Sequence, residues 1–351
     1  MALKKTRVLI VDDSIFMRQF ISSNISKDSG IEVVGEASDP YQARDKILEL
    51  KPDVMTLDVD MPKMNGLEFL KKLMPQYPLP VLVVSSTPNV VLDAMQAGAV
   101  DFVAKPSTME EGDRNAFISE LVIKIKIASI SKVGQYKHKK SQNLGEIVRR
   151  SSGTSVNESL LVAIGASTGG TEATATILNS LKSFSAGIVV VQHMPPVFTR
   201  MYAERLNNSG ALEVKEAQDG DLVLPGRVLI APGDFQMEVE RSTKGYRVKC
   251  YKGEKVSGHC PSVDVLFESV AKAAGPNALG IILTGMGSDG AKGLLSMRKK
   301  GAYTIGQSKE TCVVYGMPMV ANTVGAVQAE LPLSEISSRM CRWHDEMTGA
   351  K

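Results

Sequence analysis

Hydrophobic and polar positions along the first 129 residues change period block by block. Residues 7–11 (RVLIV) are almost continuously apolar and β-branched, the pattern of a strand covered on both faces of a parallel sheet. Residues 14–24 switch to helical spacing, with Ile15, Phe16, Phe20 and Ile21 expected on one face. Residues 32–37 read as a second strand. Asp39-Pro40 then opens a helix that runs to Leu50, an acid at the N-cap with proline at the first helical position. Strands at 54–57, 81–84 and 102–104 and helices at 67–74, 90–97 and 113–129 continue the alternation. Five successive βα units predict a doubly wound parallel sheet.

The pattern stops near residue 130. Residues 130–158 are rich in Ser, Lys, Gln, Asn and Gly and carry no apolar period, so they read as a flexible linker. A second α/β pattern starts at Leu160. Its strands are predicted at 160–165, 187–191, 211–216, 227–231, 236–240, 246–251, 279–284 and 302–305. The pair around Arg241-Ser242-Thr243-Lys244-Gly245 alternates polar and apolar residues as a hairpin does. The expected organisation is α/β throughout: a (βα)5 domain over 1–129, a basic polar linker over 130–157, and a doubly wound domain over 158–351, mostly parallel with an antiparallel hairpin.

Composition narrows the class. At about 150 residues per domain, 351 residues suit two domains. With 43% hydrophobic and 23% charged residues, a fibrous repeat and wholesale disorder are excluded. No apolar run approaches the roughly 18 residues of a membrane span. The apolar stretch at 8–11 stops at Asp12-Asp13, too short for a signal peptide, so a cytoplasmic protein is expected. The cysteines Cys250, Cys260, Cys312 and Cys341 form no Cys-x-x-Cys pair and read as reduced structural thiols. The net charge of +3 hides a local excess: residues 130–157 hold six basic side chains against Glu146 alone, leaving the rest of the chain slightly acidic. Aromatics are nearly absent there, so a solvated linker is favoured over a nucleic-acid patch.

Charged residues cluster where a parallel sheet binds ligands, at the C-terminal ends of its strands. Asp12 and Asp13 follow the first strand, Asp58 the third, Ser85 the fourth, and Lys105-Pro106 the fifth. Each acid alone reads as a strand-terminal turn residue. Together, three converging carboxylates need a positive partner, either a hard divalent cation or Lys105. On these residues, about 5–128 resembles the receiver domains of bacterial response regulators. The resemblance implies that Asp58 accepts a phosphoryl group, that Asp12, Asp13 and Asp58 bind Mg²⁺, that Ser85 and Lys105 contact the phosphoryl group, and that Phe102 is the aromatic switch.

In the second half, Ile164-Gly165-Ala166-Ser167-Thr168-Gly169-Gly170 fits G-x-S-x-G, a strand–turn–helix elbow that exposes a serine. A Gly-rich phosphate-binding turn is the alternative, weakened by the lack of a Walker lysine or a Gly-x-Gly-x-x-Gly. Four histidines are available as base. His138 lies in the linker and His344 near the C-terminus. His193 follows the strand at 187–191 and reaches the same sheet edge as Ser167; His259 is the second choice. Asp289, in Thr284-Gly285-Met286-Gly287-Ser288-Asp289-Gly290, reaches that edge too, as an orienting acid or as a helix N-cap.

The order Ser167, His193, Asp289 departs from the Ser-Asp-His order of α/β-hydrolases. With IGASTGG, QHMP, HCPSVDVLF and TGMGSDG, residues 158–348 resemble the chemotaxis protein-glutamate methylesterases. The resemblance implies hydrolysis of glutamyl methyl esters on the cytoplasmic domains of chemoreceptors, deamidation of receptor glutamines, a chemotaxis histidine kinase as phosphodonor, and activation by phosphorylation. It also implies Ser167 as nucleophile, His193 as base, Asp289 as orienting acid, and backbone N–H groups near Thr168 and Met286 for the oxyanion. No nucleic acid, membrane insertion or esterase cofactor is expected. Two other readings stay open, a receiver joined to a serine hydrolase of another acyl substrate and a non-enzymatic regulator, the latter weakened by the lack of a helix-turn-helix pattern.

Overall fold

The computed structural model describes residues 4–61, 65–106, 108, 110–133, 160–182 and 184–349. The chain divides into two compact units, Met1–Ser141 and Gln142–Lys351. Of the expected linker, residues 134–157, including His138, lie outside the described residues.

In the first unit, β1 (Thr6–Val11), α1 (Ile15–Ile25), β2 (Ile31–Ala37), α2 (Pro40–Leu50), β3 (Val54–Leu57), α3 (Gly66–Leu73), β4 (Val81–Ser85), α4 (Pro88–Gln96), β5 (Asp101–Ala104) and α5 (Glu111–Ser129) alternate strictly. The strands form one parallel sheet in the order β2-β1-β3-β4-β5. Val8, Leu9, Ile10 and Val11 are buried, as their unbroken apolar run requires. Side chains start the helices where expected: Ser14 accepts from Met17 N–H, and Asp39 from Tyr41 and Gln42 N–H.

One expectation fails. Ile15 and Phe16 are 63% and 61% exposed, while Ile21 and Ile25 are buried. Ile21 and Ile25 join Val8 and Ile10 in the core, whereas the first-turn residues of the stripe do not. Phe16 instead stacks on Phe20, with ring centroids 6.2 Å apart.

The second unit begins with β6 (Leu161–Ala166), α6 (Gly170–Ser180), β7 (Gly187–Gln192), α7 (Phe198–Ser209), β8 (Glu213–Glu216), β9 (Leu222–Val223) and β10 (Arg227–Ile230). It continues through β11 (Gln236–Ser242), β12 (Gly245–Tyr251), α8 (Val263–Ala273), β13 (Ala278–Ile282), α9 (Ala291–Lys299), β14 (Tyr303–Gln307), α10 (Met317–Thr323), β15 (Ala329–Leu331) and α11 (Leu333–Thr348). Seven strands form a parallel sheet in the order β15-β14-β13-β6-β7-β10-β8. The hairpin β11–β12 gains a third antiparallel strand, β9. At two and three residues, β9 and β15 are too short to display a period, and neither was predicted. Helix α11 buries Leu333, Ile336, Met340 and Trp343, and His344 packs its ring against Phe184 at 5.5 Å. These contacts give His344 a structural setting.

Chain order decides where the sites lie. β1 and β3 are neighbours in the first sheet, and β6 lies between β13 and β7 in the second. Each sheet changes direction there, which opens a crevice at the strand ends.

Candidate functional site

In the first unit, Asp12, Asp13 and Asp58 offer carboxylate oxygens that all lie within 4.8 Å of one another. Lys105 Nζ bridges two of them, at 2.9 Å from Asp12 and 2.7 Å from Asp58. Burial pushes the Asp58 carboxyl above its ordinary pKa despite the Lys105 bond. Burial lowers the Lys105 ammonium, but both carboxylates outweigh it and raise its pKa. A cluster of hard oxygen donors with one exposed member suits Mg²⁺, which keeps several waters. Ser85 and Phe102 are both buried. The Ser85 hydroxyl, however, donates to Asp60 Oδ2 at 3.2 Å, and Thr87 donates to the same oxygen at 3.0 Å. Sequence reasoning missed Asp60, although its spacing two residues after Asp58 was a readable signal. Lys124 donates to the Phe102 carbonyl and lies 5.0 Å above its ring.

In the second unit, the predicted elbow forms at the end of β6. Ser167 N–H donates to the Thr284 carbonyl at 3.0 Å, which ties it to the end of β13. Its carbonyl accepts from Gly170 N–H at 2.7 Å and from the Gln192 side chain at 2.9 Å. Gly169 turns the chain at φ 76°, where a Cβ would come within 2.6 Å of Val313. Gly285 lets the β13 loop approach: its Cβ would lie 2.6 Å from Ser167 Cβ. The loop after β14 packs here as well, with Thr284 Oγ1 accepting from Val314 N–H at 3.0 Å. Thr168 is buried, and Met286 is 42% exposed.

Ala166 pairs with Gln192 across β6 and β7, and His193 N–H donates to the Ala166 carbonyl at 3.1 Å. His193 therefore sits beside Ser167 on the neighbouring strand. Its Nε2 is 2.8 Å from Asp289 Oδ2, while Nδ1 is buried and makes no hydrogen bond. Against an ionised acid, Nε2 carries the proton and Nδ1 keeps its lone pair.

Asp289 caps no residue of α9; it lies at the N-terminus of α8. Its Oδ1 accepts from Ser262 Oγ at 2.8 Å and Asp264 N–H at 3.0 Å, and its Oδ2 accepts from Val263 N–H at 2.8 Å. Burial pushes this carboxyl up, but the His193 bond and the backbone donors outweigh it and hold its pKa below the ordinary range. A depressed acid contributes stability above its unfolded pKa and loses it as pH falls through the folded value. Asp289 is therefore an anion throughout the neutral range. The role of Ser262-Val263-Asp264 was not read from the sequence.

Asp289→Asn is expected to lower kcat by about 10³–10⁴. With its oxygen on Ser262 and Asp264, the amide nitrogen would lose the Val263 N–H bond that Oδ2 accepts, donate to Nε2, drive the ring proton to Nδ1 and remove the free lone pair. Steady-state kinetics beside a melting curve checks this; a loss below tenfold in a folded variant sinks the tautomer argument.

The comparisons follow the same division. The CheB methylesterase family model matches residues 162–340, and the response regulator receiver domain model matches residues 8–115. The chain is 53% identical to a protein-glutamate methylesterase/protein-glutamine glutaminase 2 of Syntrophomonas wolfei, over 97% of this chain and 98% of that one. It is 46% identical to the protein-glutamate methylesterase/protein-glutamine glutaminase of Salmonella typhi, over 96% and 97%. The solved CheB methylesterase catalytic domain of Thermotoga maritima aligns with a TM-score of 0.51 and 40% identity, covering 52% of this chain and 98% of that one. The chain belongs to the CheB methylesterase family, protein-glutamate methylesterases and protein-glutamine glutaminases, here with an N-terminal response regulator receiver domain.

Proposed function

We propose that the enzyme removes methyl esters from chemoreceptor glutamates by a Ser167–His193–Asp289 mechanism that phosphorylation of Asp58 switches on. The observation that carries the catalytic half is the His193–Asp289 bond of 2.8 Å beside the Ser167 elbow. Ser167 Oγ attacks the ester carbonyl while His193 Nδ1 takes its proton. Asp289 holds the opposite nitrogen and stabilises the imidazolium. Backbone N–H groups of Thr168 and Met286 receive the oxyanion. His193 returns the proton to the departing methoxide, which leaves as methanol. Water, deprotonated by His193, then splits the acyl-serine to glutamate. A receptor glutamine follows the same path with ammonia leaving.

In the receiver, Asp12, Asp13 and Asp58 would hold Mg²⁺. When bound, the ion neutralises charge on the transferring phosphoryl group. Asp58 Oδ attacks the phosphorus of the kinase's phosphohistidine, the P–N bond breaks, the kinase imidazole leaves, and Asp58 becomes an acyl phosphate. Lys105 pairs with the new phosphoryl oxygens, and Ser85 leaves Asp60 to bond them. Phe102 follows as the switch. The phosphodonor is a chemotaxis histidine kinase, and the enzyme works in the cytoplasm on receptor domains.

The domain boundaries belong to the same proposal: a receiver over 1–129, a basic linker over 130–157, and the esterase over 158–351. A tether holds the receiver at high effective concentration yet releases it, which favours inhibition at rest. A few kcal/mol, within reach of one phosphoryl group, moves such an equilibrium. Methanol release from labelled receptor membranes tests this. A fragment starting near Gly153 is expected to outpace the unphosphorylated full chain and to ignore acetyl phosphate. If the folded fragment is no faster than the resting chain, relief of inhibition fails and activation by contact replaces it. If neither form releases methanol, another acyl substrate takes its place.

A further inference from the structure

The ring of His259 lies over that of His193, with centroids 3.6 Å apart and planes 9° from parallel. A rigid support delivers it there. Val256 and His259 exchange both backbone hydrogen bonds, at 3.0 and 2.9 Å. Between them Ser257 and Gly258 take φ of 53° and 85°, the geometry of a tight turn with both central residues left-handed. That region is unfavourable for Ser257, whose hydroxyl is tied to Asp264 Oδ2 at 3.2 Å. The buried side chain of Gln236 holds the segment from β11. It donates to the carbonyls of Glu254 and His259 at 2.9 and 3.3 Å and accepts from Ser262 N–H at 2.9 Å. The turn that carries His259 is thus built onto the same helix N-terminus that fixes Asp289.

We propose that His259 is a positioning residue for the base. Its ring pins the plane of the His193 imidazole, so that Nε2 stays on Asp289 and Nδ1 stays available to the serine. As the imidazolium forms, an aromatic face covers it in place of water, and a cation over such a face is attracted to it. His193 is already fixed at one edge by Asp289; the stack fixes the remaining rotation. This rests on the reading that His193 is the base. His259 itself exchanges no proton with substrate.

The test uses the full chain, acetyl phosphate and methylated receptor membranes, with Ser167→Ala and His193→Ala alongside. His259→Ala is expected to lower kcat roughly ten- to thirtyfold with KM unchanged. His259→Phe keeps a flat face without the ring nitrogens and should recover kcat to within about threefold of wild type. Melting curves confirm that each variant is folded. The proposal is overturned if His259→Phe is as slow as His259→Ala, since the nitrogens then matter and not the stack. It is also overturned if KM rises at constant kcat, which makes His259 a substrate contact, or if His259→Ala equals wild type. His259→Ala as inactive as His193→Ala makes His259 the base and overturns it too. If Ser167→Ala or His193→Ala turns over normally, the triad reading falls and the proposal with it. If both are dead and only the His259 pattern fails, the triad stands and the stacking role is withdrawn.

Discussion

Methanol release from methylated receptors is expected to vanish in Ser167→Ala, with a loss of about 10⁶ in kcat by the usual effect of removing a triad nucleophile. The geometry of the elbow does not depend on the hydroxyl. Ser167 is held by its backbone, through Thr284, Gly170 and the Gln192 amide, and alanine keeps the Cβ that fits against Gly285. Melting temperature and receptor binding should therefore match wild type, which separates lost chemistry from lost structure. Turnover above about a hundredth of wild type, in a preparation free of wild-type enzyme, would falsify Ser167 as nucleophile. The phosphate-turn alternative for the same glycine-rich sequence would then return.

Asp58→Asn is expected to end labelling by acetyl phosphate, because an amide cannot form the acyl phosphate. Chelating Mg²⁺ should give the same result, and Asp12→Asn or Asp13→Asn should weaken labelling. Incorporation that persists unchanged in Asp58→Asn moves the phosphoacceptor elsewhere. The same variant has a second, independent readout. Burial raises the folded pKa of Asp58 above its ordinary value. A raised carboxyl contributes stability below the unfolded pKa of about 3.9 and loses it as pH rises through the folded value. At pH 7 the ionised group therefore opposes folding, and Asn should raise the melting temperature of the receiver. The gain should shrink as pH falls and Asp58 takes up its proton. A receiver that melts lower at pH 7 in Asp58→Asn would mean that the Lys105 pair outweighs desolvation.

Much of this molecule was legible because its chemistry sits at strand ends. A run such as RVLIV is apolar at every position only if both faces are covered, so strand and layer follow from the pattern alone. An acid, serine, histidine or lysine at the end of such a run lies at the sheet edge, and Asp12, Asp58, Ser85, Lys105, Ser167 and His193 all follow this rule. The glycines of IGASTGG likewise announce a turn that no side chain would allow.

What the pattern does not carry is the identity of partners. Periodicity reports that a residue is covered, not what covers it, and the contacts that matter here join loops far apart in sequence. His193 meets Asp289 across 96 positions. The carboxylate of Asp289 is anchored by α8, not by the helix that follows it, because α8 packs closely on α9, where Gly293 N–H donates to Asp264 Oδ1 at 2.9 Å. The bond between Ser85 and Asp60, the stacking of His259 on His193, and the exposure of Ile15 and Phe16 depend in the same way on where one element ends relative to its neighbour. Periodicity and turn residues alone specify the α/β layers and which chemical groups reach the sheet edges. Which nitrogen of His193 faces its acid, and what holds that acid charged, follow from side-chain geometry between segments far apart in sequence, which no local pattern encodes.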